Sequence, residues 1–126
     1  MMDEIVKKGK IKYYGVSVEK VSEALDAIKF SNVKSIQIIF NIFRQKPNEI
    51  FFKEAKKNNV AIIVRVPLAS GLLTGKMNLN SSFPKNDHRN YNINGDSFDV
   101  GEPFSGINFQ KGIEAVKELK TLLPQY

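Results

Sequence analysis

Cysteine is missing from all 126 residues, and histidine occurs once, as His88. No disulfide, thiolate nucleophile or cysteine-ligated metal is therefore open to the chain, and a protein-only zinc site has too few ligands. No apolar run approaches the roughly 20 residues of a membrane span. The first eight residues, Met-Met-Asp-Glu-Ile-Val-Lys-Lys, put acids first and lack the apolar stretch of a signal peptide, so a cytoplasmic protein is expected. Self-contained catalytic motifs are missing too. There is no G-x-G-x-x-G, no G-x-S-x-G elbow and no pair of carboxylates at an acid–base spacing. Residues 71–76, Gly-Leu-Leu-Thr-Gly-Lys, share only part of a phosphate-cradling P-loop, without its first glycine spacing or its hydroxyl after lysine. His88 lies in a polar stretch between Asp87 and Arg89, which reads as loop packing with a local ion pair.

What is present is the composition of an ordinary globular domain, 42% hydrophobic and 25% charged. The length suits one domain with a modest core. The net charge of +6 is uneven: residues 1–60 carry +5 and residues 61–126 carry +1. Much of the excess is Lys7, Lys8, Lys10 and Lys12. Without an aromatic-interleaved basic stripe or an arginine-rich helix, this cluster reads as a solvated helix end and not as a nucleic-acid site.

Order along the chain comes from periodicity. Residues 3–9 read as the last turns of a helix whose beginning is missing, with acids first, lysines last and Gly9 closing it. Strands are expected at residues 11–18, 35–41 and 60–66. Helices are expected at about 19–30, 47–58 and 108–123. In the first helix Val21, Ala24, Leu25 and Ile28 share a face; in the second, Ile50, Phe51 and Ala55 do, with Pro47 at its first position. In the last, Asn108 is placed as N-cap, with Phe109, Ile113, Val116, Leu119 and Leu123 as the apolar face. The run Val-Ala-Ile-Ile-Val-Arg-Val at 60–66 suits a strand buried on both faces, as in a helix-covered parallel sheet. Gly15 within the first strand implies close approach by a ligand or another backbone. Residues 67–107 lack periodicity and are expected to form a long loop. The pattern is βαβαβ, an α/β fold with a parallel sheet.

Each strand carries a polar residue in its C-terminal half: Ser17, then Gln37 with Asn41, then Arg65. In parallel α/β sheets that end is where ligands bind. The last strand runs into Pro-Leu-Ala-Ser-Gly-Leu-Leu-Thr-Gly-Lys at 67–76, whose backbone amides, hydroxyls and lysine suit a phosphate-bearing ligand.

Residues 9–17 (Gly-Lys-Ile-Lys-Tyr-Tyr-Gly-Val-Ser), 35–41 (Ser-Ile-Gln-Ile-Ile-Phe-Asn) and 65–76 resemble, in order and spacing, the C-terminal half of the aldo-keto reductases. Residues 83–89, Phe-Pro-Lys-Asn-Asp-His-Arg, further resemble a bacterial, general-oxidoreductase-like subfamily. The resemblance implies a partial TIM (β/α)8 barrel of about three βα units. It also implies a carbonyl or alcohol oxidoreductase using NADP(H), with NAD(H) also open. Ser17 matches a serine that holds the nicotinamide carboxamide, and Gln37 a glutamine that contacts the same amide. Arg65 stands where many members stack a tyrosine on the ring, a role a planar guanidinium can fill with different electronics. Pro67, Leu68, Ser70, Gly71, Leu72 and Lys76 match the loop around the cofactor diphosphate. Val18 replaces a frequent asparagine, so one amide contact is expected to be lost.

The family's catalytic Asp, Tyr, Lys and His lie on its first four strands, which do not correspond to any part of this chain. Tyr13 and Tyr14 belong to the fifth strand's motif and are not expected to donate a proton. The implied reading is a truncated reductase with part of a cofactor site, no catalytic residues of its own and no activity alone. The alternative is a nucleotide-binding or interaction module that pairs with itself or with a separate N-terminal half-barrel.

Overall fold

In the computed structural model, residues 1–123 are described. They fall in two compact units, one of Met1–Arg65 and one that begins at Val66.

The first unit opens with helix α1, Met2–Lys7. Gly9, at φ +68°, closes it as the reading of residues 3–9 expected: its amide donates to the Val6 carbonyl, and the Lys10 amide to that of Ile5. Asp3 ties α1 to the unit by accepting from the Tyr14 hydroxyl at 3.1 Å and the Asn32 amide at 3.0 Å. These donors hold the Asp3 carboxyl below its ordinary pKa. Strand β1 is Tyr14–Ser17, helix α2 Val21–Ala27 and strand β2 Val33–Ile39. Helices α3, Lys46–Glu49, and α4, Phe51–Lys57, precede strand β3, Ala61–Arg65. The strands form one open parallel sheet in the order β1-β2-β3.

The core lies under one sheet face, where Ala24, Ile28, Phe51 and Ala55 of the helical layer meet Val33, Ile36 and Ile38. Three expectations are corrected. The helix over 47–58 is broken at Ile50, so Ile50 is 55% exposed while Phe51 and Ala55 are fully buried. Pro47 takes the second helical position, because α3 begins at Lys46. Strand β3 is not buried on both faces: Ile63 is 49% and Val64 40% exposed. In this sheet β3 is an edge, so its apolar run has a neighbour on one side only. Central β2 is the strand whose apolar residues are fully covered.

Gly15 faces Ser35 in the β1–β2 register. A Cβ there would lie 2.2 Å from the Ser35 hydroxyl oxygen and 2.9 Å from its carbonyl oxygen, so the close approach is by the neighbouring strand.

In the second unit, the segment expected to be a long loop is folded into short pieces. A 3₁₀ segment covers Ala69–Thr74, helix α5 His88–Tyr91 and a second 3₁₀ turn Phe104–Gly106. Buried Asn92 organises the stretch between them. Its side-chain oxygen accepts from the amides of Ser97 and Phe98 at 2.8 Å each. Helix α6 is Phe109–Leu122, and the Asn108 side chain caps it through the Lys111 amide. Ile113 and Val116 are buried, but Leu123 is 54% exposed, so the expected apolar face fades in the last turn. Gly112 sits where a Cβ would come within 2.6 Å of a methyl of fully buried Leu72. Among the described residues no helix is long and apolar enough to cross a membrane.

Candidate functional site

The first unit brings the polar strand residues together by register. Ser17 on β1 is the partner of Gln37 on β2, and Ile63 on β3 completes that row. Partners in a parallel register share a sheet face, and this row lies on the face opposite the core. Two residues further along β3, Arg65 is the partner of Ile39. Its side chain spans the sheet back to β1. Nη1 donates to Ser17 Oγ at 3.2 Å, and Nη2 donates to Glu19 Oε1 at 2.7 Å.

Arg65 and Glu19 thus form an ion pair, with side chains 21% and 40% exposed. Glu19 was not singled out from the sequence. The signal was available, because a lone charge in an apolar strand needs a counter-charge. The acid that supplies it follows the next strand but one. Beside Glu19 opens a cavity of about 390 Å³, lined also by Lys20, Arg44 and Lys46. Asn41 is not brought to the row. It is buried, and its side-chain oxygen accepts from the Phe43 amide at 3.0 Å, shaping the turn after β2. Tyr14 spends its hydroxyl on Asp3, and Tyr13 is exposed.

The second unit holds the rest of the predicted residues. Pro67 and Leu68 are exposed, and Leu72 is turned into the unit's core. The backbone here is strained: Val66, Ala69 and Ser70 take φ of 54°, 47° and 55°, a region that side-chain-bearing residues rarely occupy. The Ser70 hydroxyl donates to the Glu102 carbonyl, and His88 Nε2 lies 3.3 Å from Ser70 Oγ. Arg89 reaches the Ser70 carbonyl at 3.5 Å, and Lys120 Nζ donates to that of Gly75 at 3.0 Å. Lys76 is exposed.

Arg89 also grips Asp87 through two side-chain bonds of 2.9 and 2.7 Å, while its guanidinium lies 4.3 Å from the centre of the Phe83 ring. Hydrogen bonds from the Arg89 side chain and backbone drive the Asp87 carboxyl far below its ordinary pKa; the Arg89 guanidinium is raised in turn.

Chemically, the Ser17 hydroxyl and the Gln37 amide supply, side by side, the donors and acceptors that a carboxamide requires. That donor set fits a nicotinamide. At 66–76 the fit to a diphosphate rests on Lys76 and backbone amides, because the Ser70 hydroxyl proton is held by Glu102.

Comparison with known proteins decides what kind of chain this is. The model of the Aldo/keto reductase family matches residues 1–126. The chain belongs to that family. It is 30% identical over 124 residues to the aldo-keto reductase str7 of Strobilurus tenacellus, covering 96% of this chain and 34% of that one. Against the aldo-keto reductase yakc [NADP(+)] of Schizosaccharomyces pombe the identity is 25%, with the same coverage. Among solved structures, the glycerol dehydrogenase of Gluconobacter oxydans superposes with a TM-score of 0.68 at 29% identity, covering 96% of this chain and 34% of its own. The chain therefore spans about a third of the length of these relatives, and its three-stranded open sheet is part of a (β/α)8 barrel.

Proposed function

We propose that this aldo-keto reductase chain is the cofactor-holding part of an NADP(H)-dependent carbonyl or alcohol oxidoreductase, and that it contributes no residue to proton transfer. The observation that carries the reading is the register of Ser17 with Gln37, with Arg65 bonded to Ser17. Ser17 and Gln37 would hold the nicotinamide carboxamide, and Arg65 would lie beside the ring. In the second unit, Pro67, Leu68, Ser70, Gly71, Leu72 and Lys76 would follow the diphosphate, Leu72 through its backbone only. The bound cofactor supplies the hydride; the chain orients its ring. The NADP(+) in the name of the fission-yeast relative supports the phosphorylated cofactor over NAD(H).

The test is a fluorescence titration of the 126-residue chain with NADPH, alongside an NADPH-oxidation assay on a panel of aldehydes. Saturable binding that weakens at least tenfold in Ser17→Ala/Gln37→Ala, without turnover, is expected. Binding indifferent to both substitutions, or turnover by the chain alone, would overturn the reading.

A second reading rests on the open order of the sheet, in which β3 has a strand neighbour on one side only. Unpaired strand edges invite pairing, so a half-barrel that associates with itself or with a separate N-terminal half is the alternative. A discrete dimer in size-exclusion chromatography, with cooperative melting, would support it; aggregation would not.

A further inference from the structure

We propose that two copies of this chain pair edge to edge through β3, antiparallel about a two-fold axis at Ile63, into one six-stranded sheet. The seam rests on the self-associating reading above and does not require the cofactor reading. Backbone direction singles it out. The Phe40 amide donates to the Arg65 carbonyl, so Arg65, Ile63 and Ala61 turn their amides and carbonyls toward β2. Those of Ile62 and Val64 therefore point away from the sheet, and among the described residues no hydrogen bond reaches them. A two-fold axis at Ile63 sets Ile62 opposite Val64 of the second copy, and Val64 opposite its Ile62. Every outward amide and carbonyl of both residues then finds a partner.

Side chains and charge favour the same register and a second copy as the occupant. Ile63 faces itself across the axis in the closer, non-hydrogen-bonded kind of pair, covering side chains that are 49% exposed. Val64, 40% exposed, gains Ile62 of the second copy as a β-branched neighbour. Residues 61–64 carry no charge, glycine or proline, the features that blunt a strand edge. Arg65 falls opposite Ala61 of the other copy, so the two guanidinium-bearing positions lie about 13 Å apart along the strands. That exceeds the screening length of about 8 Å at physiological salt. The other edge is less suited. The Val18 amide donates to the Gln37 carbonyl, so the outward residues of β1 are Gly15 and Ser17. A two-fold axis there would leave glycine with no side chain to pack and set Lys12 against Lys20. Pairing β3 with β1 of the next copy would give an open-ended array instead of a closed dimer.

The experiment is sedimentation of the 126-residue chain over a wide concentration range, where a monomer–dimer equilibrium is expected. Ile63→Lys and Ile63→Glu each set like charges against one another at the axis, and each alone should weaken the dimer about tenfold or more. Mixing the two variants should restore it, because lysine then faces glutamate. Circular dichroism checks that each variant folds. The chain has no cysteine, so single-cysteine variants report the seam independently. Under mild oxidation Ile63→Cys should form a disulfide-linked dimer about tenfold or more faster than Ala61→Cys, whose sulfur would face Arg65.

A dimer that neither charge weakens, or that mixing does not restore, would overturn the seam while leaving self-association standing. Species that keep growing with concentration would assign the contact to β3 with β1 and overturn it too. If the charged variants do not fold, the two cross-linking rates decide alone, and equal rates refute the axis at Ile63. A wild-type chain that stays monomeric at every concentration would remove the self-associating reading, and this proposal with it.

Discussion

Replacing Gly112 by alanine sets two known effects against each other, and the structure says which wins. In an exposed helix interior, glycine to alanine stabilises by about 1 kcal/mol. At Gly112 of α6, however, the new methyl would sit 2.6 Å from a Leu72 methyl, against an ordinary carbon–carbon contact of about 3.5–4.0 Å. Leu72 is fully buried and cannot swing into solvent. Overpacking of this kind opposes folding by about 1–3 kcal/mol. The net expectation is a loss of about 0–2 kcal/mol.

Leu72→Ala removes the clash. Alone it should destabilise by about 2–5 kcal/mol through the cavity it leaves. In that background the same Gly112→Ala change should become stabilising by about 1 kcal/mol. The sign reversal is the diagnostic, because helix propensity by itself cannot produce it. Urea unfolding followed by far-UV circular dichroism, with coincident transitions by a second probe, measures all four corners of the cycle. If Gly112→Ala stabilises the wild-type chain by the full propensity gain, the packing argument against it is wrong. The contact matters for function because Leu72 anchors the Ala69–Thr74 segment that carries the candidate diphosphate residues.

Two further outcomes follow from the same geometry. Gly15→Ala should destabilise by about 1–3 kcal/mol, and adding Ser35→Ala should not rescue it. The 2.9 Å approach to the Ser35 carbonyl would remain; a double variant as stable as Ser35→Ala alone would refute this. Asp87 has a folded pKa depressed below its ordinary value of 3.8, so its contribution is present above that value and is lost as pH falls through the depressed one. Asp87→Asn should therefore lower the urea midpoint at pH 7, with a gap from wild type that narrows steadily below about pH 4; a gap constant with pH would count against the Arg89 pairing.

Residue types, their order and local periodicity were enough to identify the family, the parallel βαβαβ pattern, the apolar face of α2 and the polar residues at the strand ends. These are properties of neighbours within a few positions, where helical or strand spacing dictates which side chains share a face. Pairings across the chain were decided elsewhere. The 60–66 run has the composition of a doubly buried strand, yet Ile63 and Val64 are exposed, because burial depends on which elements pack against a strand. Ile50 fits an apolar helical stripe but falls at a break in the helix. Ser70 looks available to a phosphate, but its proton goes to the Glu102 carbonyl, 32 positions away. Arg65 could be placed at a ligand-binding strand end from sequence alone. That it bonds to Ser17 and pairs with Glu19, 46 positions earlier, required the sheet that brings β1 and β3 within one side chain's reach.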